Sequence, residues 1–309
     1  MNYEQLLLQL IEEDERIVII TAENRAAIRN LPNVVSDRFI DVGIAEQTMV
    51  GIAAGLALRG RIPIVHALAT FLTMRAFEFI RTDIGIGNLP VKLVGAVPGF
   101  LSDGNGPTHQ AIEDISLMRG IPPVNIFCPS DEEDLLIGLR EVLLHPSPFY
   151  IRYNNQKTVI KHDYNFKIGE AEIISEGRDI VILTYGILLH QALEAADILR
   201  TDGKSVGVIN LRTLKPIDEK ILGNSCLSDA LIVTLEDHFI IGGLYSILAE
   251  FIVKEKLRCN VLPIALENKW FKPALLPDVL EYEGFTAEKI ADRINKELIK
   301  LSKRKEYSI

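Results

Sequence analysis

Cysteine is scarce in these 309 residues. Cys128, Cys226 and Cys259 are too few and too far apart for a disulfide framework or a structural zinc site, and their apolar neighbours suit reduced thiols. Blocks of positive charge are missing too. The net charge is −9, and the short cluster Lys303-Arg304-Lys305 reads as a solvated tail, so neither nucleic acid nor an anionic membrane is an expected partner. No apolar run reaches the ~20 residues of a membrane span. Met1 to Glu15 form an acidic amphipathic pattern without the basic start, long apolar core or cleavage site of a secretory leader, so a cytoplasmic location is expected. Internal repeats and low-complexity tracts are absent as well. What remains is an ordinary globular composition, 48% hydrophobic and 24% charged, sufficient for two cores.

Short β-branched runs alternate with helical patterns, which predicts an α/β fold in two domains. Arg16–Thr21, Ile62–Ala67, Val91–Val97 and Phe149–Tyr153 read as strands of the first. Glu46–Leu58, Phe71–Gly85 and Asp131–Leu144 read as its helices, the last capped by Ser130. Asp179–Tyr185, Ser205–Leu211 and Ala230–Leu235 read as strands of a second, smaller unit. The expected division is 1–157, a linker at 158–175, and 176–309.

One carboxylate stands out. In Asp41-Val42-Gly43-Ile44-Ala45-Glu46-Gln47, Glu46 falls where a strand gives way to a helix rich in small apolar residues, with almost no polar partner in reach. Desolvation there predicts a proton held more tightly than in water. The plainer alternative is a first-turn glutamate complementing the helix dipole. Gly43, Gly51 and Gly55 favour the first reading, since they permit close approach of a backbone or ligand.

This segment resembles the pyrimidine-binding segment of the transketolase family, which includes deoxyxylulose-phosphate synthase. A second block, Gly104-Asn105-Gly106-Pro107-Thr108-His109-Gln110 with Glu113-Asp114 and Met118-Arg119, is similar to another family signature. A third, Val233-Thr234-Leu235-Glu236-Asp237-His238 with Gly242-Gly243-Leu244, resembles one in the family's C-terminal domain. The resemblance implies a thiamine diphosphate pyrimidine-binding fold, with a largely parallel sheet and helices on both faces, followed by a transketolase C-terminal-like domain. The activity it implies is transfer of a two-carbon ketol unit from a ketose to an aldehyde.

By the same resemblance, Glu46 hydrogen-bonds the cofactor's pyrimidine, and Phe71, Leu72 and Phe77 offer its aromatic or apolar wall. Simple helix packing is the alternative for Phe71, and the register leaves Leu72 open as the stacking residue. His66, at a strand end, is placed within reach of the cofactor. His109 acts on the substrate oxygen, unless it is a solvated loop histidine. Arg152 matches an arginine that holds substrate phosphate, the alternative being a surface ion pair. Glu236 and His238 read as structural, buried polar residues needing partners.

Three departures from the family pattern shape the expectation. Asn105 stands where an acidic residue often precedes the histidine, with Asp103 two positions further back, which leaves hydroxyl recognition open between them. Ala96 to Gly99 supply no phosphate-gripping base, pointing to a sugar without phosphate at the customary place. The Gly-Asp-Gly and Asn that bind diphosphate through Mg²⁺ are missing, so no metal ligand is expected here. The chain therefore reads as the C-terminal half of a split transketolase. A separate N-terminal subunit would carry the metal site in a heterotetramer of two copies of each chain, and this chain alone would self-dimerise. Rival readings are a subunit like deoxyxylulose-phosphate synthase, a β-type subunit of a 2-oxoacid dehydrogenase decarboxylase, and a noncatalytic α/β regulatory or scaffold subunit.

Overall fold

Strands buried on both faces require helices on both sides of their sheet. A computed structural model, describing residues 1–227, 229–267 and 269–306, shows two such sheets. The first contains β1 (Ile17–Thr21), β2 (Phe39–Asp41), β3 (Ile62–Leu68), β4 (Lys92–Ala96), β5 (Asn125–Phe127) and β6 (Phe149–Arg152). The second contains β7 (Glu172–Ser175), β8 (Ile180–Thr184), β9 (Val206–Asn210), β11 (Leu231–Phe239) and β12 (Asn260–Leu266). With β10 (Thr213–Lys215) completing the first sheet, their orders are β10-β5-β6-β4-β3-β1-β2 and β12-β11-β8-β9-β7. Pairing is parallel except at one edge of each, where β10 and β7 run antiparallel. Among the described residues, no helix is long and apolar enough to cross a membrane. Lys303 is exposed, while the side chains of Arg304 and Lys305 lie outside the described residues.

Alternation along β3 sorts the first core into two layers. Ile62 and Ile64 face the helices Tyr3–Glu13 and Glu132–Leu144. Val65 and Ala67 face the helix Glu46–Leu58 through Met49 and Ala53. In the second unit, Val181 and Leu183 of β8 join that same cluster, so the units share a core. Ile180 and Ile182 point the other way, onto the helices Leu188–Thr201 and Ala287–Glu306.

The structure corrects three sequence expectations. The expected helix Phe71–Gly85 is broken into wide-turn segments, Phe71–Arg75 and Ile80–Gly85, around a short α-helical turn at Phe77–Phe79. Asp131, not Ser130, caps the next helix by accepting from the Asp134 N–H at 3.0 Å. The linker drawn at 158–175 contains β7, the edge strand of the second sheet, and β10 returns from the second unit to complete the first sheet.

A buried polar network explains why this connection is ordered. His162 places Nε2 2.9 Å from Asp131 and Nδ1 2.8 Å from Glu172. Arg212 joins Glu172 at 2.9 Å and Asp134 at 2.7 Å. With a carboxylate at each ring nitrogen, His162 must donate from both and so carry a proton. Burial pulls its pKa down, but hydrogen bonds to Asp131 and Glu172 outweigh this and push it up to about 10. A histidine so raised contributes stability that is full below the unfolded value and lost as pH climbs through the folded one. Urea unfolding should therefore show stability falling by about 2–3 kcal/mol between pH 7 and pH 10.5 on account of this group. His162→Gln should lower stability at pH 7 and flatten that slope; equal slopes for the two proteins would remove His162 as its source.

Candidate active site

In a parallel sheet the carboxyl ends of the strands open a crevice for ligands. Here the ends of β1 and β3 and the loop after β2 surround a cavity of about 310 Å³ lined by Glu23, Arg25, Ile44, Glu46 and Phe71, among others. Glu23 has a φ of 60°, a left-handed conformation uncommon for a side-chain-bearing residue, and its N–H donates to Asp41 at 3.3 Å. Arg25 is ion-paired with the same Asp41.

Glu46 is 2% exposed in the first turn of its helix, as the sequence predicts. It does have a polar partner, which the sequence reading missed. Arg75 Nη1 donates to Glu46 Oε2 at 2.7 Å, and the same guanidinium lies 4.1 Å from the centroid of the Phe71 ring. Phe71 in turn meets the His109 ring edge-on at 5.1 Å. Nδ1 of His109 sits 2.9 Å from Thr108 Oγ1. Glu46, Arg75, Phe71 and His109 thus form one continuous chain of contacts. Nothing lies within 4 Å of where a Cβ would sit at Gly43, Gly51 or Gly55, so these glycines border open space rather than a packed neighbour.

Other expected site residues are elsewhere. Leu72 is fully buried in the core and Phe77 packs at its edge, so of the three only Phe71 lines the cavity. His66 follows Ile64 onto the opposite face of β3, where Nε2 lies 2.8 Å from the Tyr3 hydroxyl. Burial holds its pKa down at about 3, so it is a neutral core histidine facing away from Glu46. Asp103 accepts from the Leu276 N–H at 3.0 Å and so fastens the glycine loop to the second unit, whereas Asn105 is exposed.

Arg152 is neither a free phosphate grip nor a surface ion pair. It is 3% exposed, with Nε 2.9 Å from Asp114 and Nη1 2.7 Å from Asp237. Both carboxylates belong to the blocks that carry the family resemblance, and no local pattern signals that they converge. The reading of Glu236 and His238 as buried residues needing partners agrees with the structure. Glu236 accepts from the Leu244 and Tyr245 N–H groups at 2.6 and 2.9 Å, and burial raises its pKa to about 7. His238, held by burial at about 4, accepts from the Ser116 N–H at 3.3 Å.

A second cavity, of about 560 Å³, shares Asn24 and Ala26 with the first. Val97, Asp103, Tyr153, Asn155 and Gln156 are among its lining, which includes no Lys, Arg or His among the described residues. Val97 has a φ of 49°, an outlier for a β-branched residue and a sign of local strain beside the cavity. The trio Asp134, His162 and Glu172 brings ligand atoms within 4.8 Å of one another, but Arg212 already neutralises it.

Residues 1–160 match the model of the pyrimidine binding domain of transketolase, and residues 169–290 that of the transketolase C-terminal domain. The chain is 37% identical over 293 residues to a 6-deoxy-6-sulfo-D-fructose transketolase subunit of Clostridium sp. (strain MSTE9), covering 94% of this chain and 91% of that one. It is 38% identical to 1-deoxy-D-xylulose-5-phosphate synthase of Dictyoglomus thermophilum over 93% of its own length but only 47% of that protein's. A solved structure titled split gene transketolase, inactive β4 tetramer, superposes with a TM-score of 0.85 at 34% identity, covering 95% and 96% of the two chains.

The buried charges around Arg152 make its role measurable. Removing one partner of a buried ion pair leaves the other uncompensated, at a cost of about 3–5 kcal/mol. Arg152→Met should lower unfolding stability by that amount in denaturant titration, while a loss under about 1 kcal/mol would mean that Asp114 and Asp237 do not depend on it.

Proposed function

The chain belongs to the transketolase family, and from that premise we propose that it is the C-terminal subunit of a two-chain, thiamine diphosphate-dependent enzyme. Its reaction moves a two-carbon ketol unit from a ketose to an aldehyde. The observation that carries this reading is Glu46, a buried carboxylate opening onto the same cavity as the Phe71 ring. These two groups fit an aminopyrimidine, one bonding a ring nitrogen and the other lying against its face. The diphosphate and Mg²⁺ do not fit this chain, because the one metal-like trio among the described residues is neutralised by Arg212 and lies in the connection between the units. A partner subunit would hold them. The words "subunit", "split gene" and "inactive" in the names of similar proteins support a chain that works only in combination. So does the open face of the Glu46 helix at Gly51 and Gly55.

When bound, thiamine diphosphate supplies carbanion chemistry at its thiazolium ring. Glu46 would hold the proton shared with the pyrimidine nitrogen, and Arg75 would fix that carboxylate in place. Phe71 would exclude water from one side. His109 has Nδ1 engaged by Thr108, so Nε2 is the atom turned to the substrate, giving or taking a proton at its oxygen. The second cavity would take the rest of the sugar. A phosphate or sulfonate tail calls for a cation, and a lining of amides, a tyrosine, aliphatic side chains and the Asp103 carboxylate offers none, so the donor would end in an uncharged polyol.

Turnover of ketose donors with an aldehyde acceptor, thiamine diphosphate and Mg²⁺ tests this for the chain alone and mixed with its candidate partner. Activity is expected only in the mixture, and release of carbon dioxide from a 2-oxoacid would instead favour the decarboxylating readings, synthase-like or 2-oxoacid dehydrogenase-like. Glu46→Gln should cut kcat by about 10²-fold or more while the complex still elutes intact. Uncharged ketoses should exceed their phosphate esters in kcat/KM by about 10-fold, the loss expected when an anion meets no cation.

A further inference from the structure

Cys226 and Cys259 stand 33 positions apart in sequence, yet their sulfurs lie 3.0 Å from each other. Cys226 is in the last turn of the helix Glu219–Leu227, and Cys259 immediately precedes β12. Both are free thiols. Their environments differ: Cys226 is 3% exposed within the shared core, whereas Cys259 is half-buried at its edge. We propose that this pair is a modification site, a dithiol that low-molecular-weight disulfides of the glutathione class oxidise reversibly to an intrachain disulfide.

Exposure assigns the order of events. Burial, and then the neighbouring thiol, push Cys226 up to about 12, so it is a poor first nucleophile. Cys259 is the sulfur an oxidant can reach. Its thiolate attacks one sulfur of RSSR, the S–S bond breaks, and RS⁻ leaves and takes up the proton that Cys259 lost. Cys226 then gives up its proton and attacks the Cys259 sulfur of the mixed disulfide, expelling a second RS⁻, which takes up that proton. The two thiols lose two electrons and two protons in all, and RSSR becomes two RSH. The sulfurs need approach by only about 1 Å to reach the ~2.05 Å of a disulfide. The closed loop would enclose β11 and the helix Leu244–Glu255, and with them Asp237 and His238, which bind the first unit. Oxidation should therefore tighten the clasp between units.

The test is to equilibrate the native full-length chain with oxidised glutathione, trap free thiols by alkylation, and weigh the intact chain and its peptides. The expected product has lost two hydrogens, maps to Cys226–Cys259, and melts a few °C higher, reverting with dithiothreitol. Cys226→Ser should stop at a stable mixed disulfide on Cys259. Cys259→Ser should leave Cys226 unmodified until the chain unfolds. A wild-type chain that halts at the mixed disulfide, or that reacts at these thiols only when unfolded, would overturn the proposal.

Discussion

Arg152 joins two carboxylates from distant parts of the chain, Asp114 in the first unit and Asp237 in the second. Asp114 follows the glycine loop that ends in His109, and Asp237 lies near the end of β11 in the second unit. Desolvating three charged groups is costly, and removing any one strands the others, so the three elements are held in one relative placement. The Tyr150 hydroxyl adds a bond of 2.7 Å to Asp114. Space at the junction is also exhausted. Gly99 has a φ of 56°, and a Cβ there would land on the Asp237 carboxylate and the Arg152 guanidinium. Only glycine lets the loop leave β4 at that angle and pass over the ion pair. The position of His109 is thus set from below, by a charge cluster that never reaches the cavity.

Burial at Glu46 is managed differently. A carboxylate alone in an apolar pocket would favour its neutral form. Here Arg75 pairs with the carboxylate from the solvent side, being 39% exposed on its side chain against 2% for Glu46. Because Arg75 also covers the Phe71 ring, the electrostatic and aromatic parts of the cavity are coupled. The wide-turn winding at Phe71–Arg75 makes this possible. It departs from regular helical spacing at the place where one side chain has to reach Glu46 and stack on its own neighbour.

Much of this was legible in the sequence. Strand alternation and β-branched runs located the principal strands, and the Gly43 to Glu46 junction marked the buried carboxylate. What escaped shares one physical cause. Periodicity reports which face a residue takes only once the register is known, so His66, read as reaching the site, belongs to the other side of β3. The resemblance matches Arg152 to an arginine that holds substrate phosphate, and its place at a strand end suggests a surface ion pair as the alternative; the structure shows neither. The partners of Arg152 lie 38 and 85 residues away, and no local pattern announces contacts at that range. The edge strands β7 and β10 were missed for the same reason, since each exists through pairing with a distant strand. So was the meeting of Cys226 and Cys259, which wide spacing had made look unrelated.

Proposed as half of a catalyst, the chain meets a physical requirement that one surface satisfies poorly. A cofactor with an aromatic ring at one end and a metal-bound polyanion at the other asks for opposite environments: an apolar wall with one buried acid, and a cradle of oxygen ligands. This chain supplies the first with little compromise. Its cavity walls carry Phe71, Ile44 and Leu68 around Glu46; Arg25 in the lining is committed to Asp41, and Arg75 to Glu46 itself. Adding a metal cradle to the same strand ends would place further carboxylates beside Glu46, where each would oppose the charge of the other. Dividing the two environments between chains, as proposed, would avoid that conflict and would make the joint surface, rather than either fold, the place where the chemistry is assembled.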